Sequence, residues 1–223
     1  MKLNNKRTIL VGLAFLSICA FWQMYDSIVP LILTKTFHMN ETFSGAIMAA
    51  DNILALFLLP FFGSVSDKSH SKLGKRMPFI LFGTGCAIIL MNSLPLLDNS
   101  YAAQPSGFKT ASFVIVLGLL LVAMGTYRAP AVALMPDVTP KPLRSRANAI
   151  INLMGAVGGI LYLGVAAVLY PNSKTAGLDH VNYQPLFIVV SAIMFVAVAV
   201  LFLTIREPKL TAENQALEKQ HPE

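Results

Sequence analysis

The sequence predicts an all-α polytopic membrane protein whose six transmembrane helices form two inverted repeats of three. Of its 223 residues, 55% are hydrophobic and only 13% are charged. A soluble domain carries about twice that share of charged residues to cover its surface. This composition excludes most soluble enzymes and all disordered chains. The arrangement of the apolar residues, which gather into six long runs, predicts the number of helices.

Each of the six runs is long enough to cross a bilayer as a helix. About 20 residues suffice, and only a helix satisfies its own backbone amides in lipid. The longest connector, between the third and fourth runs, contains turn-forming residues at 98–100 and 104–107. The predicted spans are 9–33, 43–65, 77–97, 112–136, 147–170 and 186–205.

The first run follows a short basic segment and lacks a cleavage pattern, so it is predicted to be a retained span rather than a signal peptide. We therefore divide the chain into a six-span bundle, 1–208, and a hydrophilic cytoplasmic tail, 209–223. Within the bundle, the first repeat covers about 9–97 and the second about 112–205.

The distribution of lysine and arginine predicts the orientation. The net charge of +6 does not indicate a nucleic-acid partner, because the cations lie between apolar runs rather than on one soluble face. Thirteen of the 17 fall on the side of the termini and three, Lys35, Lys109 and Lys174, on the other. This bias predicts a multi-pass protein of the cell membrane with both termini in the cytoplasm. The thirteen are Lys2, Lys6, Arg7, Lys68, Lys72, Lys75, Arg76, Lys141, Arg144, Arg146, Arg206, Lys209 and Lys219.

A local echo supports the inverted repeat. Tyr25 and Asp26 precede Pro30 in the first span, as Tyr127 and Arg128 precede Pro130 in the fourth. Asp26 and Arg128 each lie nine residues before the next charge at a helix exit, hence about 13.5 Å from it. Because the two spans run in opposite directions, the charges occupy mirror depths. A chance match is the alternative.

Three charges lie within spans: Asp26, Asp51 and Arg128. Intramembrane charges are costly and are functional candidates by default. We expect Arg128 to face at least one aspartate and a carboxylate to exchange a proton or bind a cation as substrate arrives. A static ion pair that only orders the bundle is the alternative.

Polar and aromatic residues near these charges are candidates to line a substrate site. Trp22, Gln23 and Asp26 share one helix face, and an indole beside hydrogen-bonding groups suits a sugar-like ligand. Helix packing is the alternative, and for Gly155 and Gly159 of the fifth span it is favoured. No cofactor or metal is expected, because both cysteines lie in apolar segments and no span contains histidine. The lining candidates are Trp22, Gln23, Tyr25, Asn52, Tyr127 and Asn152.

The connector between the second and third spans has an ordered pattern. Gly63 permits close backbone approach, Asp67 and Lys68 end the helix, and Gly74 precedes the cations Lys75 and Arg76. Such a loop can lock neighbouring helix ends through ion pairs. Positive-inside anchoring alone would explain the cations but not the glycines and the aspartate.

This pattern resembles the signature loop of the major facilitator superfamily in the longer form typical of glycoside and sucrose cation symporters. A second block, from Tyr127 to Asp137 and on to Arg144 and Arg146, resembles the fourth span and following loop of that group. The resemblance covers about 9–208. It implies an alternating-access transporter, not an enzyme, that carries a small sugar-like solute with a proton or sodium.

By position, the resemblance implies a cytoplasmic gate and a central coupling region of Asp26, Asp51 and Arg128. Members have twelve spans, and a cavity between two halves cannot be built from one. The chain is therefore expected to be an N-terminal half that pairs with a second half or with itself, or a truncated fragment without transport activity. The gate residues are Gly63, Asp67, Lys68, Gly74, Lys75, Arg76, Asp137, Arg144 and Arg146.

One other class deserves comparison. Tyr25 and Asp26 match the first half of an intramembrane aspartyl protease motif, but Asp51 follows two alanines where that motif needs Gly-x-Gly. A transporter is therefore favoured over a protease.

Overall fold

The computed structural model describes residues 3–220, and within that range the regular structure is helical, with no strand. Lys2 and residues 221–223 of the predicted tail lie outside it, as do the side chains of Asn172, Lys219 and Gln220. Six helices are long and apolar enough to cross a membrane. The predicted fold class is therefore confirmed.

The helices follow one another through short connectors. Side chains cap the first turns of two of the helices. Asn4 accepts a hydrogen bond from the backbone of Arg7, and Asn40 accepts one from Thr42, which starts α1 and α2. The spanning helices are α1 Asn5–Leu31, extended by a π-helical turn Ile32–Thr36, α2 Glu41–Asp67, α3 Met77–Ala103, α4 Gly107–Val138, α5 Arg144–Leu169 and α7 Gln184–Thr204; α6 Asn172–Thr175 and α8 Glu207–Gln220 are shorter.

The packing has the symmetry that an inverted repeat requires. Helix α1 of the first repeat packs on α5 of the second, and its counterpart α4 of the second repeat packs on α2 of the first. Likewise α3 packs on α4, as α7 packs on α1, while α3 and α7 contact each other. Exchanging the two repeats leaves this pattern unchanged, which agrees with the echo between Asp26 and Arg128 in the sequence.

Glycines bring two helix pairs close together. A Cβ on Gly158 would lie 2.0 Å from the Leu16 carbonyl oxygen, and one on Gly83 would lie 2.7 Å from the Tyr127 nitrogen. Of the predicted pair, Gly155 is tight, with a Cβ position 2.9 Å from Cys19 Sγ, but Gly159 comes no closer than 3.8 Å to Gln23. Gly158, three residues after Gly155, therefore takes the packing role predicted for Gly159.

Two boundaries differ from the prediction. The residues predicted to form a turn after the third span, 98–100, lie inside α3, which continues to Ala103. The Lys109 ammonium donates to the Ser100 and Gln104 carbonyls, which satisfies the end of a longer helix. The hydrophilic tail was predicted to begin at residue 209, whereas the helix that contains its described part, α8, begins at Glu207.

Candidate functional site

Polar side chains are exposed on the membrane-spanning helices near mid-depth. Asp26 of α1, Asn52 of α2 and Asn152 of α5 are all exposed. Asn52 lies 11 residues from the start of α2 and Asn152 eight from the start of α5, hence about 16 Å and 12 Å along their helices. The hydrocarbon core of a bilayer is about 30 Å thick. At mid-depth, contact with lipid would be unfavourable for the polar side chains of Asp26, Asn52 and Asn152.

Arg128 of α4 and Asp51 of α2 line one small cavity of about 20 Å³ together with Trp22. The guanidinium lies 5.6 Å from the centre of the indole ring, a cation–π contact. Arg128 takes part in none of the ion pairs between described residues. It was expected to face an aspartate, and it does so only by lining the same cavity as Asp51. Asp51 instead accepts a hydrogen bond from the Asn52 amide at 2.8 Å.

Asp26 lies about one helical turn after Trp22 on α1, and the Trp22 indole lines the cavity with Asp51 and Arg128. Gln23, half-buried, points towards α5 at Gly159. Of the two intramembrane carboxylates, the structure places that of Asp51 beside Arg128, in their shared cavity.

Two of the predicted lining residues lie elsewhere. Tyr25 and Tyr127 are fully buried, and the Tyr127 hydroxyl pairs with Ser17 and donates to the Ala14 carbonyl at 3.0 Å. Tyr25 packs against the rings of Phe21 and Trp22. Neither ring faces the exposed polar surface, because each points into the bundle. Their role in this structure is packing, which corrects the prediction for both.

Arg76 is the centre of an ion-pair network at the end of the bundle that carries α8, which we call the tail face. Its guanidinium donates to Asp67 at the end of α2, to Asp137 at the end of α4 at 2.8 Å, and to Ser66. Burial alone would lower the pKa of Arg76, but the hydrogen bonds and charges of Asp137 and Asp67 outweigh it and raise that pKa. The guanidinium therefore stays charged and ties three helix ends together, as the motif predicts.

The two glycines of the motif differ. Gly74 has φ = +107°, a conformation that favours glycine, and a Cβ there would lie 2.4 Å from the Glu207 carboxyl. At Gly63 a Cβ would meet nothing within 4 Å. The predicted close approach is therefore made at Gly74, whereas the contacts found at Gly63 are to its carbonyl oxygen, which accepts from Ser66 at 3.1 Å and from Arg76 at 3.5 Å.

Glu207, which sequence reasoning did not assign to the gate, binds the motif directly. Its carboxylate is buried at 3% exposure and accepts hydrogen bonds from the backbone nitrogens of Lys75, Arg76 and Met77 at 2.7–3.1 Å. These are the free amides at the start of α3, where the helix dipole also favours an anion. The sequence signal is an acid followed by proline at the start of a helix, at Glu207 and Pro208.

Arg144 closes the end of α4 rather than joining Asp137. It donates to the Thr139 and Pro136 carbonyls at 3.1 and 2.9 Å, and it pairs with Glu218 of α8 at 3.2 Å. The side chains of Lys68, Lys75 and Arg146 are exposed and enter none of the ion pairs found between residues 3 and 220. The contact network at the tail face is therefore formed by Arg76, Asp67, Asp137 and Glu207, with Arg144 beside it.

A second buried acid lies at the opposite face. Asp98, which the sequence placed in a turn, is 0% exposed, and its carboxylate lies 4.0 Å from His180 Nε2. His180 also contacts Thr36 at 3.3 Å and Asn99 at 2.8 Å. These contacts hold the connector before α7 against α3 and the end of α1.

Comparison with known proteins agrees with this geometry. The family model described as Major Facilitator Superfamily matches residues 11–222. The chain belongs to the Major Facilitator Superfamily. It is thus a member of a transporter family and not an enzyme.

The superfamily relatives it resembles are mostly plant sucrose carriers. It is 34% identical to Sucrose transport protein SUC3 of Arabidopsis thaliana, over 66% of this chain and 26% of the relative. It is 36% identical to Sucrose transport protein SUT3 of Oryza sativa subsp. indica, over 63% and 30%. Solute carrier family 45 member 3 of Homo sapiens is 25% identical over 82% and 34%. The chain therefore spans about a third or less of the length of these superfamily relatives.

Proposed function

We propose that the chain forms the N-terminal half of a sugar transporter that works by alternating access and is coupled to a proton or sodium. The observation that carries this proposal is the exposed polar set at mid-depth, Asp26, Asn52 and Asn152. Polar groups in a span face a water-filled path or another protein surface rather than lipid. A second six-helix half would complete that path, since transporters of this kind bind substrate between repeats near the midplane.

A sugar-like substrate is supported by two independent observations. Relatives at about 35% identity are named as sucrose transport proteins. Beside the exposed polar set, the half-buried indole of Trp22 offers an apolar ring face next to Gln23, the combination that stacks on a sugar and hydrogen-bonds its hydroxyls.

Coupling is assigned to the carboxylates of Asp26 and Asp51. A carboxylate that becomes neutral when it binds a proton, or that binds sodium, changes the charge that Arg128 meets in their shared region. The gate centred on Arg76 then holds the tail face closed. Alone, the chain supplies one wall of the cavity, so we expect the six-helix chain by itself to carry no sugar across a membrane.

The experiment is uptake of labelled sucrose into cells that express the chain together with a second six-helix half of the same superfamily. Asp26→Asn and Asp51→Asn are each expected to abolish sucrose accumulation, because an amide neither takes up a proton near neutral pH nor carries the negative charge that balances a bound cation. Asp179→Asn, the same substitution at an exposed acid in the connector before α7, is the matched control and should accumulate sucrose normally. Full accumulation in both intramembrane variants, at equal expression, would overturn the coupling assignment.

A further inference from the structure

A groove runs between α1 and α7 and reaches the tail face. Its outer part, of about 350 Å³, is lined by the first turn of α1, the end of α7 and the first turns of α8. Four cations line it: Lys6, Arg7, Arg206 and Lys209. The single acid there, Glu213, lies 3.8 Å from Arg7 and 3.9 Å from Lys209. Surface pairs at these distances are weak, so the pocket keeps a net positive charge.

The same two helices carry an apolar groove one turn deeper in the membrane. This groove, of about 460 Å³, is lined only by leucine, isoleucine, valine and alanine side chains. On α1 it begins at Leu13, three residues after Leu10 of the charged pocket, and on α7 at Val200, four residues before Thr204. Residues three and four apart share a helix face. The charged pocket and the apolar groove are therefore one continuous surface.

The length of the groove matches one leaflet. From Val200 to Ile188 there are 12 residues of α7, or about 18 Å along the helix. Half of a bilayer's hydrocarbon core is about 15 Å. An acyl chain that starts at the level of the charged pocket would therefore run the length of the groove.

We propose that this surface binds one anionic phospholipid, with its phosphate and headgroup at Lys6, Arg206 and Lys209 and an acyl chain between α1 and α7. A net positive pocket selects an anionic headgroup over a zwitterionic one, and the aliphatic groove makes the ligand a lipid rather than a soluble phosphate. Because α8 supplies Lys209, binding also holds this helix against α1. The lipid site is independent of sugar transport and of the second half.

The test is native mass spectrometry of the chain released from neutral detergent that contains equal amounts of phosphatidylglycerol and phosphatidylcholine. Each basic side chain at an anionic lipid surface strengthens binding by about fivefold. The double variant Arg206→Gln with Lys209→Gln is therefore expected to bind phosphatidylglycerol about thirtyfold more weakly. The control Lys72→Gln with Lys141→Gln removes two exposed cations of the tail face that do not line the groove, and it should bind as the unchanged chain does.

A second variant tests the acyl chain. Ala192 is exposed and lines the groove, so Ala192→Trp should fill the groove and reduce adducts of phosphatidylglycerol. The control is Ile89→Trp, at an exposed position of α3 outside the groove, which should leave these adducts unchanged. Equal retention of the two lipids by the unchanged chain would overturn the proposal. So would unchanged phosphatidylglycerol adducts in the Arg206 and Lys209 double variant, or in Ala192→Trp, when thermal unfolding shows both variants to be folded.

Discussion

At the scale of single residues, the two glycines of the motif between α2 and α3 have opposite environments. Gly74 combines a positive φ with a Cβ position 2.4 Å from Glu207. Gly63 lies in α2, and a Cβ added there would meet no atom within 4 Å. The motif in the sequence treats them alike. Only the structure shows that Gly74 is needed within this half.

These environments predict different outcomes for one substitution. Gly74→Ala should lower the free energy of unfolding by about 1–3 kcal/mol, through backbone strain and displacement of Glu207. Gly63→Ala should leave it unchanged or raise it by about 0.5–1 kcal/mol, because alanine favours the helix. Thermal unfolding of the two variants in the same detergent measures the difference. Equal melting temperatures would contradict the geometry at Gly74.

Glu207 makes a second prediction at this scale. Glu207→Ala leaves the amides of Lys75, Arg76 and Met77 buried without an acceptor, at a cost of about 2–4 kcal/mol in the free energy of unfolding. Glu207→Gln keeps an acceptor and should cost less. The measurement is the unfolding midpoint of both variants, with Glu213→Ala as a control, because Glu213 makes only exposed pairs. A Glu207→Ala protein as stable as that control would rule out the cap.

At the scale of elements, the contact between α1 and α5 is set by small residues rather than by polar ones. Gly158 faces the Leu16 carbonyl with no room for a side chain, and Gly164 on the same helix meets nothing within 4 Å. The sequence identified a close-packed α5 face from Gly155. It could not show that Gly158 rather than Gly159 meets α1, because several helix crossings satisfy the same spacing of glycines.

Gly158→Ala therefore tests this interface. The added methyl group must separate the two helices, so it should lower the unfolding midpoint and destabilise the bundle by about 1–3 kcal/mol. Gly164→Ala adds the same methyl group on the same helix in open space and should not. Thermal unfolding is again the measurement, and a Gly158→Ala protein as stable as Gly164→Ala would contradict the contact.

At the scale of the whole molecule, the sequence predicted the fold because long apolar runs have few ways to satisfy their backbones in lipid. It also predicted that Asp67, Arg76 and Asp137 meet, since the motif places each at a helix end on one face. It missed Glu207, whose partners lie 130–132 positions away and are backbone amides that no residue type reveals. It misassigned Tyr25 and Tyr127, because the rotation of a uniformly apolar helix depends on its neighbours.

At the scale of the whole molecule, the proposed function also explains why the polar surface of Asp26, Asn52 and Asn152 is uncovered. Asp26, Asn52 and Asn152 are exposed at a depth where a finished protein offers water or another helix. The chain spans about a third or less of the relatives' length, and a second half would cover this surface. We therefore expect the face of α5 that bears Asn152 to meet an aqueous path, whereas the adjacent face at Leu153 meets lipid.

Reaction of a single cysteine with a charged, water-soluble maleimide tests this claim most directly. In a Cys19→Ala and Cys86→Ala background, expressed with a second six-helix half, we compare Asn152→Cys with Leu153→Cys. Both positions are exposed on α5 and differ by about 1.5 Å in depth, but they point in different directions. We expect fast labelling of Asn152→Cys, slowed by sucrose, and little labelling of Leu153→Cys. Labelling of Leu153→Cys alone, or of both at equal rates, would contradict it.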